Sequence, residues 1–164
     1  MNEAARFLRE GDSVPSREQC IDMRRHCLSF NMRRAARAVT AAYDEALQGT
    51  GLTACQLTIL AQLSAGSGAS LRHLAGALEL EPSTLSRNLA LLARKGLVRL
   101  DVGSDRREKS VHLTPSGEHA LAAGYARWRE VQRRVGSLVA GSELEALLGL
   151  NRRLTAALRG EDED

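Results

Sequence analysis

Cysteine is scarce. Cys20, Cys27 and Cys55 cannot all pair within one chain, and none stands in a C-x-x-C spacing, which removes both a disulfide framework and a structural zinc site. His26, His73, His112 and His119 are scattered without ligand spacing, so no metal is expected. There is no Gly-rich phosphate loop, no HExxH and no paired-carboxylate pattern, so neither a cofactor nor an enzymatic reaction is implied. No run of eighteen apolar residues occurs, and Met1-Asn2-Glu3-Ala4-Ala5-Arg6 lacks the apolar block of a secretory signal; a soluble cytoplasmic protein without a membrane partner is the expectation. What is present is 43% hydrophobic content over 164 residues, enough for the core of one ordinary domain and too much for a disordered tail or a collagen-like fibre.

Net charge is only +3, yet its placement is uneven. Glu161-Asp162-Glu163-Asp164 form an acidic tail, so the other 160 residues carry +7. Basic residues outnumber acidic ones six to two between Arg17 and Arg37, and eight to five between Ser70 and Thr114. That balance favours a polyanionic partner. Solvated helix faces in an arginine-rich chain are the plainer explanation, and only two of the twenty-three basic residues are lysine.

Residues 1–16 mix charge with Gly11, Ser13 and Pro15 and read as a flexible arm. From Arg17 to Gln48 there is no glycine or proline, and Ile21, Leu28, Met32, Ala35, Ala36, Val39, Tyr43 and Leu47 recur at helical spacing. One helix of roughly 45 Å is predicted, longer than a compact domain needs, so its stripe would be buried partly against another subunit. Thr53 and Gln56 form a capping box for a helix from Ala54 to about Leu63. Ser70 caps a short helix through Ala77, and Pro82 opens another that stops at Gly96. The period then changes: Leu97–Val102 and Lys109–Leu113 alternate around the turn residues Gly103-Ser104-Asp105, a β-hairpin. Thr114-Pro115 starts a helix marked by Leu121, Tyr125, Trp128, Val131, Val135 and Leu138, and Ser142 with Glu145 is a capping box for the last helix.

Two short helices followed at once by a hairpin make a winged helix-turn-helix pattern. With Leu85 at zero and a helical step of 100°, Leu89 and Leu92 fall within about 40° of it, whereas Ser83, Arg87, Ala90 and Arg94 fall at about 140° to 200°. A helix entering a major groove needs a face free of bulky apolar groups, with an arginine to fork onto guanine O6 and N7. Arg87 suits that role, and Ser83, Thr84 and Ser86 suit phosphate or base contacts near the positive helix end. At the hairpin tip, Arg106 and Arg107 fit a minor groove, with Asp105 positioned to hold one guanidinium. An ordinary surface helix and a solvated turn are the competing readings.

Leu71-x-x-Leu74-Ala75-x-x-Leu78, Ser83-Thr84-Leu85-Ser86-Arg87, Lys95-Gly96-Leu97-Val98, Asp105-Arg106-Arg107 and Val111-x-Leu113-Thr114, in this order, resemble the MarR (multiple antibiotic resistance regulator) transcriptional regulators. The resemblance runs from about Cys27 to Leu158. It implies a mainly α fold with a small β-hairpin wing: a single domain over 17–160, with a winged helix-turn-helix DNA-binding lobe at 53–114 and dimerisation helices at 17–48 and 115–160. It further implies a homodimeric repressor on double-stranded DNA, with the α-helix in the major groove and the arginine matching Arg107 in the minor groove beside Asp105. Two-fold symmetry then requires a pseudo-palindromic operator, bound at roughly 10⁻⁸ to 10⁻¹¹ M and weakened by salt.

Relatives in this family release DNA when a small aromatic or lipophilic effector binds, or when a thiol is oxidised. Cys27 lies two residues from the position of the reactive cysteine in the peroxide-sensing branch, and Ala54 and Leu57 replace two of its tyrosines, though Tyr43 matches a third. Arg24, Arg25 and His26 nevertheless surround Cys27, and Cys20 lies two turns earlier on the same face, so both are candidate sensing thiols. Small hydrophobes in packed helices are the alternative for all three cysteines. Tyr125 and Trp128 read as core or dimer contacts. Two other functions remain in play: a thiol-dependent enzyme using Cys27 and His26, and a dimeric ligand-binding module without operator recognition. Adjacent helical residues point about 100° apart, which serves a Cys-His pair poorly.

Overall fold

A computed structural model describes residues 13–66, 69–102 and 109–160. The helices are α1 (Arg17–His26), α2 (Leu28–Ala46), α3 (Ala54–Ala65), α4 (Leu71–Ala77), α5 (Pro82–Arg94), α6 (Pro115–Gly136) and α7 (Gly141–Arg159); the strands are β1 (Ala69–Ser70), β2 (Val98–Val102) and β3 (Lys109–Leu113). The chain forms two compact units, divided within α2 between Val39 and Thr40.

In the first unit Ser16 opens α1 with a reciprocal box: its hydroxyl accepts from the Gln19 N–H at 3.2 Å and Gln19 Oε1 accepts from the Ser16 N–H at 2.8 Å. The single helix expected from Arg17 to Gln48 is corrected here. It is interrupted at Cys27, whose ψ of 108° is extended. No glycine or proline makes the break. The Asn31 side-chain amide donates to the carbonyls of Arg25 and Cys27, both at 3.0 Å; at Arg25 it takes the place of a backbone partner, whereas the Cys27 carbonyl also keeps the Asn31 N–H at 3.1 Å. Apolar periodicity is blind to such a one-residue interruption.

The second unit is built on leucine. Leu47, Leu52, Leu57, Ile59, Leu60, Leu63, Leu74, Leu85, Leu89, Leu92, Val98 and Val111 form one buried cluster around α3. Thr53 and Gln56 make the expected box, and Asp44 adds to it by accepting the Ala54 N–H at 2.7 Å, a negative charge at the positive end of α3. The sheet has the order β1-β3-β2, with Val98↔Leu113, Arg99↔His112, Leu100↔Val111 and Asp101↔Ser110 paired antiparallel. Strand β1, pairing Ala69 with Val111 and Ser70 with Ser110, was not legible in the sequence, because two residues cannot display a period of two.

Thr114 joins the hairpin to α6. Its hydroxyl donates to the Gly96 carbonyl at 2.7 Å and accepts from the Gly117 N–H at 3.0 Å. The approach is so close that a Cβ on Gly117 would lie 2.1 Å from the Leu97 carbonyl oxygen, so only glycine fits there. The box predicted at Ser142 and Glu145 is also corrected: α7 starts earlier, with Ala140 at its N-cap, and the Glu143 carboxylate takes the Ala140 N–H at 2.9 Å. Alanine offers no acceptor in return, so this end is half a box.

The turn from α4 to α5 closes with the Leu80 N–H on the Ala75 carbonyl and the Glu79 N–H on the Gly76 carbonyl, which forces Glu79 into left-handed backbone at φ 53°. A side chain is disfavoured there. Its ion pair with Arg159, 3.7 Å long between exposed groups, is weak compensation. Glu79→Gly is therefore expected to raise unfolding free energy by about 0.5–1 kcal/mol in urea titrations, with an unchanged denaturant slope. Equal or lower stability would show that the turn is not strained.

Candidate nucleic-acid interface

Leu85, Leu89 and Leu92 anchor one side of α5 in the core, and Ser83, Ser86, Arg87, Ala90 and Arg94 on the other side are exposed. Thr84 is half-buried, and its carbonyl accepts from the Asn88 amide at 2.9 Å. Arg87 makes no hydrogen bond or ion pair with another described residue, so its guanidinium is available to a partner. Pro82 opens the helix and Glu81 at the N-cap supplies no side-chain cap, leaving the positive end of α5 uncapped beside Ser83. At the other end, Lys95 Nζ donates to the Gly51 carbonyl at 2.5 Å, tying α5 to the loop before α3. Gly96 follows in left-handed backbone at φ 69° and turns the chain directly into β2.

The hairpin strands stand where the sequence placed them. Asp105, Arg106 and Arg107 lie outside the described residues. On the strands leading to them, Arg99, Asp101, Ser110 and His112 form a polar group that the sequence did not reveal, because cross-strand neighbours depend on register.

Cys20 is exposed and Cys27 is half-buried at the break after α1. His26 Nδ1 lies 2.9 Å from Asp22 Oδ1, one turn back along α1, so its imidazole already has a partner other than the Cys27 thiol. Cys55 is half-buried beside a cavity lined by Thr40, Ala54, Thr58, Leu78 and Leu80. Burial, and then the nearby Asp44 carboxylate, push its thiol up.

A second cavity of about 350 Å³ is lined by Tyr43, Ala54, Leu57, Thr58, Ala61, Leu121, Tyr125 and Trp128. Tyr125 and Trp128 stack at 5.5 Å between ring centroids. Of this pair, read from the sequence as core or dimer contacts, Trp128 packs against the buried leucine cluster, while Tyr125 is 54% exposed; both line the cavity. Tyr43 donates its phenol proton to Gln132 Oε1, and burial raises the phenol above its ordinary range. Apart from the two tyrosines, the lining holds no ionisable group.

A leucine-anchored helix with a bare polar face, followed by a hairpin, makes this lobe a winged helix-turn-helix, a fold of DNA-binding proteins. Residues 50–108 match the model of the MarR family. The chain is 36% identical to the crystallised transcriptional regulator MosR of M. tuberculosis, solved in complex with DNA, over 80% of this chain and 98% of that one, at a TM-score of 0.71. It is 29% identical to a MarR-family regulator from Silicibacter pomeroyi, over 82% of this chain and 92% of that one, at a TM-score of 0.64. A Thauera aromatica protein named for transcriptional regulation of the hcr operon is 28% identical over 129 residues, 77% of this chain and 78% of that one. This chain belongs to the MarR family of transcriptional regulators. Among the described residues no helix is long and apolar enough to cross a membrane.

The raised Cys55 thiol has a direct consequence. In the native protein, iodoacetamide is expected to label Cys55 more slowly than free cysteine at neutral pH, with the rise in rate displaced to higher pH; peptide mass mapping reads both. Labelling of Cys55 at the free-cysteine rate would contradict its protected setting.

Proposed function

We propose that this protein is a homodimeric repressor that binds a pseudo-palindromic operator in double-stranded DNA and leaves it when a small lipophilic effector binds. One observation carries the reading: α5 is fastened by three buried leucines and turns Ser83, Ser86, Arg87, Ala90 and Arg94 outward beside a hairpin. Arg87 reads a guanine edge; Ser83, Thr84 and Ser86 hold the backbone and register; Arg107 enters the minor groove with Arg106 beside it, and Asp105 orients it. The DNA complex of MosR, at 36% identity, supports the same partner for this chain.

Dimerisation through 17–48 and 115–160 is supported by helices without interiors. Neither α1 nor α2 buries a residue, and Leu28, Met32 and Val39 are exposed; α7 buries none either, with Leu147, Leu148, Leu150 and Leu158 exposed. A second copy would cover these stripes. Light scattering should return the mass of two chains. A lone subunit would remove the symmetric operator.

Footprinting on DNA upstream of the protein's own gene tests operator binding. Arg87→Ala is expected to cost about 1–3 kcal/mol of operator affinity and to relax base preference. Arg107→Ala should weaken binding while leaving the dimer intact, and unchanged affinity in salt titrations would reject the minor-groove role.

The cavity beside Trp128 is the effector site in this reading, and thiol control, where it operates, runs through Cys20 and Cys27 rather than the protected Cys55. With no cation in its lining, the cavity favours a neutral aromatic over an aromatic acid, whose carboxylate would lose water without gaining a cationic partner. Trp128 is the chain's one tryptophan, so 1-naphthol should quench its fluorescence while 1-naphthoate at equal concentration does not. Equal or stronger quenching by the acid would reject this selectivity.

A further inference from the structure

The solvent side of the wing carries a group that the recognition helix does not explain. Register pairs Arg99 with His112 and Asp101 with Ser110, so all four side chains share the face opposite the buried Val98 and Val111. A single oxygen, Asp101 Oδ2, accepts from Arg99 Nε at 3.2 Å and from Arg99 Nη2 at 2.9 Å. The same oxygen lies 3.6 Å from His112 Nε2, which in turn lies 3.2 Å from Ser110 Oγ.

The charge on this face depends on one proton. With the His112 imidazole neutral, Arg99 and Asp101 cancel. With His112 protonated, the group carries one net positive charge, and Asp101 is shared between two cations, which loosens its hold on Arg99. Among the described residues, α5, packed on β2, brings Arg87 and Arg94, both exposed. Strand β1 has no ionisable side chain, α3 has only Cys55, and α4 has Arg72 and His73, both exposed.

We propose that Arg99, Asp101, Ser110 and His112 form a second phosphate-facing patch on the wing, whose grip on DNA is set by protonation of His112. This rests on the DNA-binding reading above. DNA phosphates favour the cationic form of the patch, so duplex binding takes up a proton at His112 and affinity rises as pH falls.

The test measures fluorescence anisotropy of a labelled mixed-sequence duplex at low salt, at about pH 8 and about pH 5.5. The unmodified protein should bind roughly three- to tenfold more tightly per subunit at the lower pH, as expected for one added charge within reach of phosphate. His112→Gln should lose that response and stay weak, whereas His112→Lys should bind tightly at both pH values, a gain that simple structural damage cannot produce. Asp101→Asn should tighten binding at the higher pH, and His73→Gln should keep the full response. The proposal is overturned if His112→Gln responds to pH like the unmodified protein, if His112→Lys is no tighter than His112→Gln, or if the response disappears with His73→Gln instead. Absence of binding by the unmodified protein at either pH defeats the DNA reading itself, and the proton switch with it.

Discussion

Burial of Leu85, Leu89 and Leu92 is the constraint on which the interface depends. Each buried leucine contributes about 1.5–3 kcal/mol, and together they leave α5 only one way round in the lobe. The outward direction of Ser83, Ser86 and Arg87 is the other side of the same fact. Arg87 has no hydrogen-bond or ion-pair partner among the described residues. The Lys95 tie to Gly51 and the turn at Gly96 then hold the far end of the helix and aim the chain into the wing.

The wing is anchored in the core by Val98 and Val111 and joined to α6 by close backbone contact. Thr114 bonds across to Gly96, and Gly117 lets α6 approach the Leu97 carbonyl to a distance that no Cβ permits. The hairpin therefore leaves α5 and returns into α6 through one tight joint. Helix α6 carries both this joint, at Gly117, and the cavity-lining Leu121, Tyr125 and Trp128.

Helices that bury nothing are the other informative feature. In α1, α2 and α7 the apolar positions recur as they do in core helices, yet none is fully buried and Leu28, Met32, Val39, Leu147, Leu148, Leu150 and Leu158 are exposed. Hydrophobic surface in stripes, rather than as scattered single residues, is what a subunit contact requires. The proposed dimer accounts for it without any change in the lobe.

Much of this architecture was legible in local chemistry. The caps at Thr53, Ser70 and Thr114, the opening proline at Pro82, the glycine stop at Gly96 and the leucine period of α5 each involve residues within a turn or two of one another, so the amino-acid order alone determined them. It also determined which face of α5 is polar. Tertiary structure decided what depends on distant or one-residue events: the break at Cys27, the earlier start of α7, the two-residue strand β1, the Tyr125–Trp128 cavity, and the meeting of Arg99 with His112 across a strand pair. A capping hydroxyl is selected by its immediate neighbours. A cavity or a cross-strand charge group exists only after packing and register bring residues from separate elements together, and no local pattern records that.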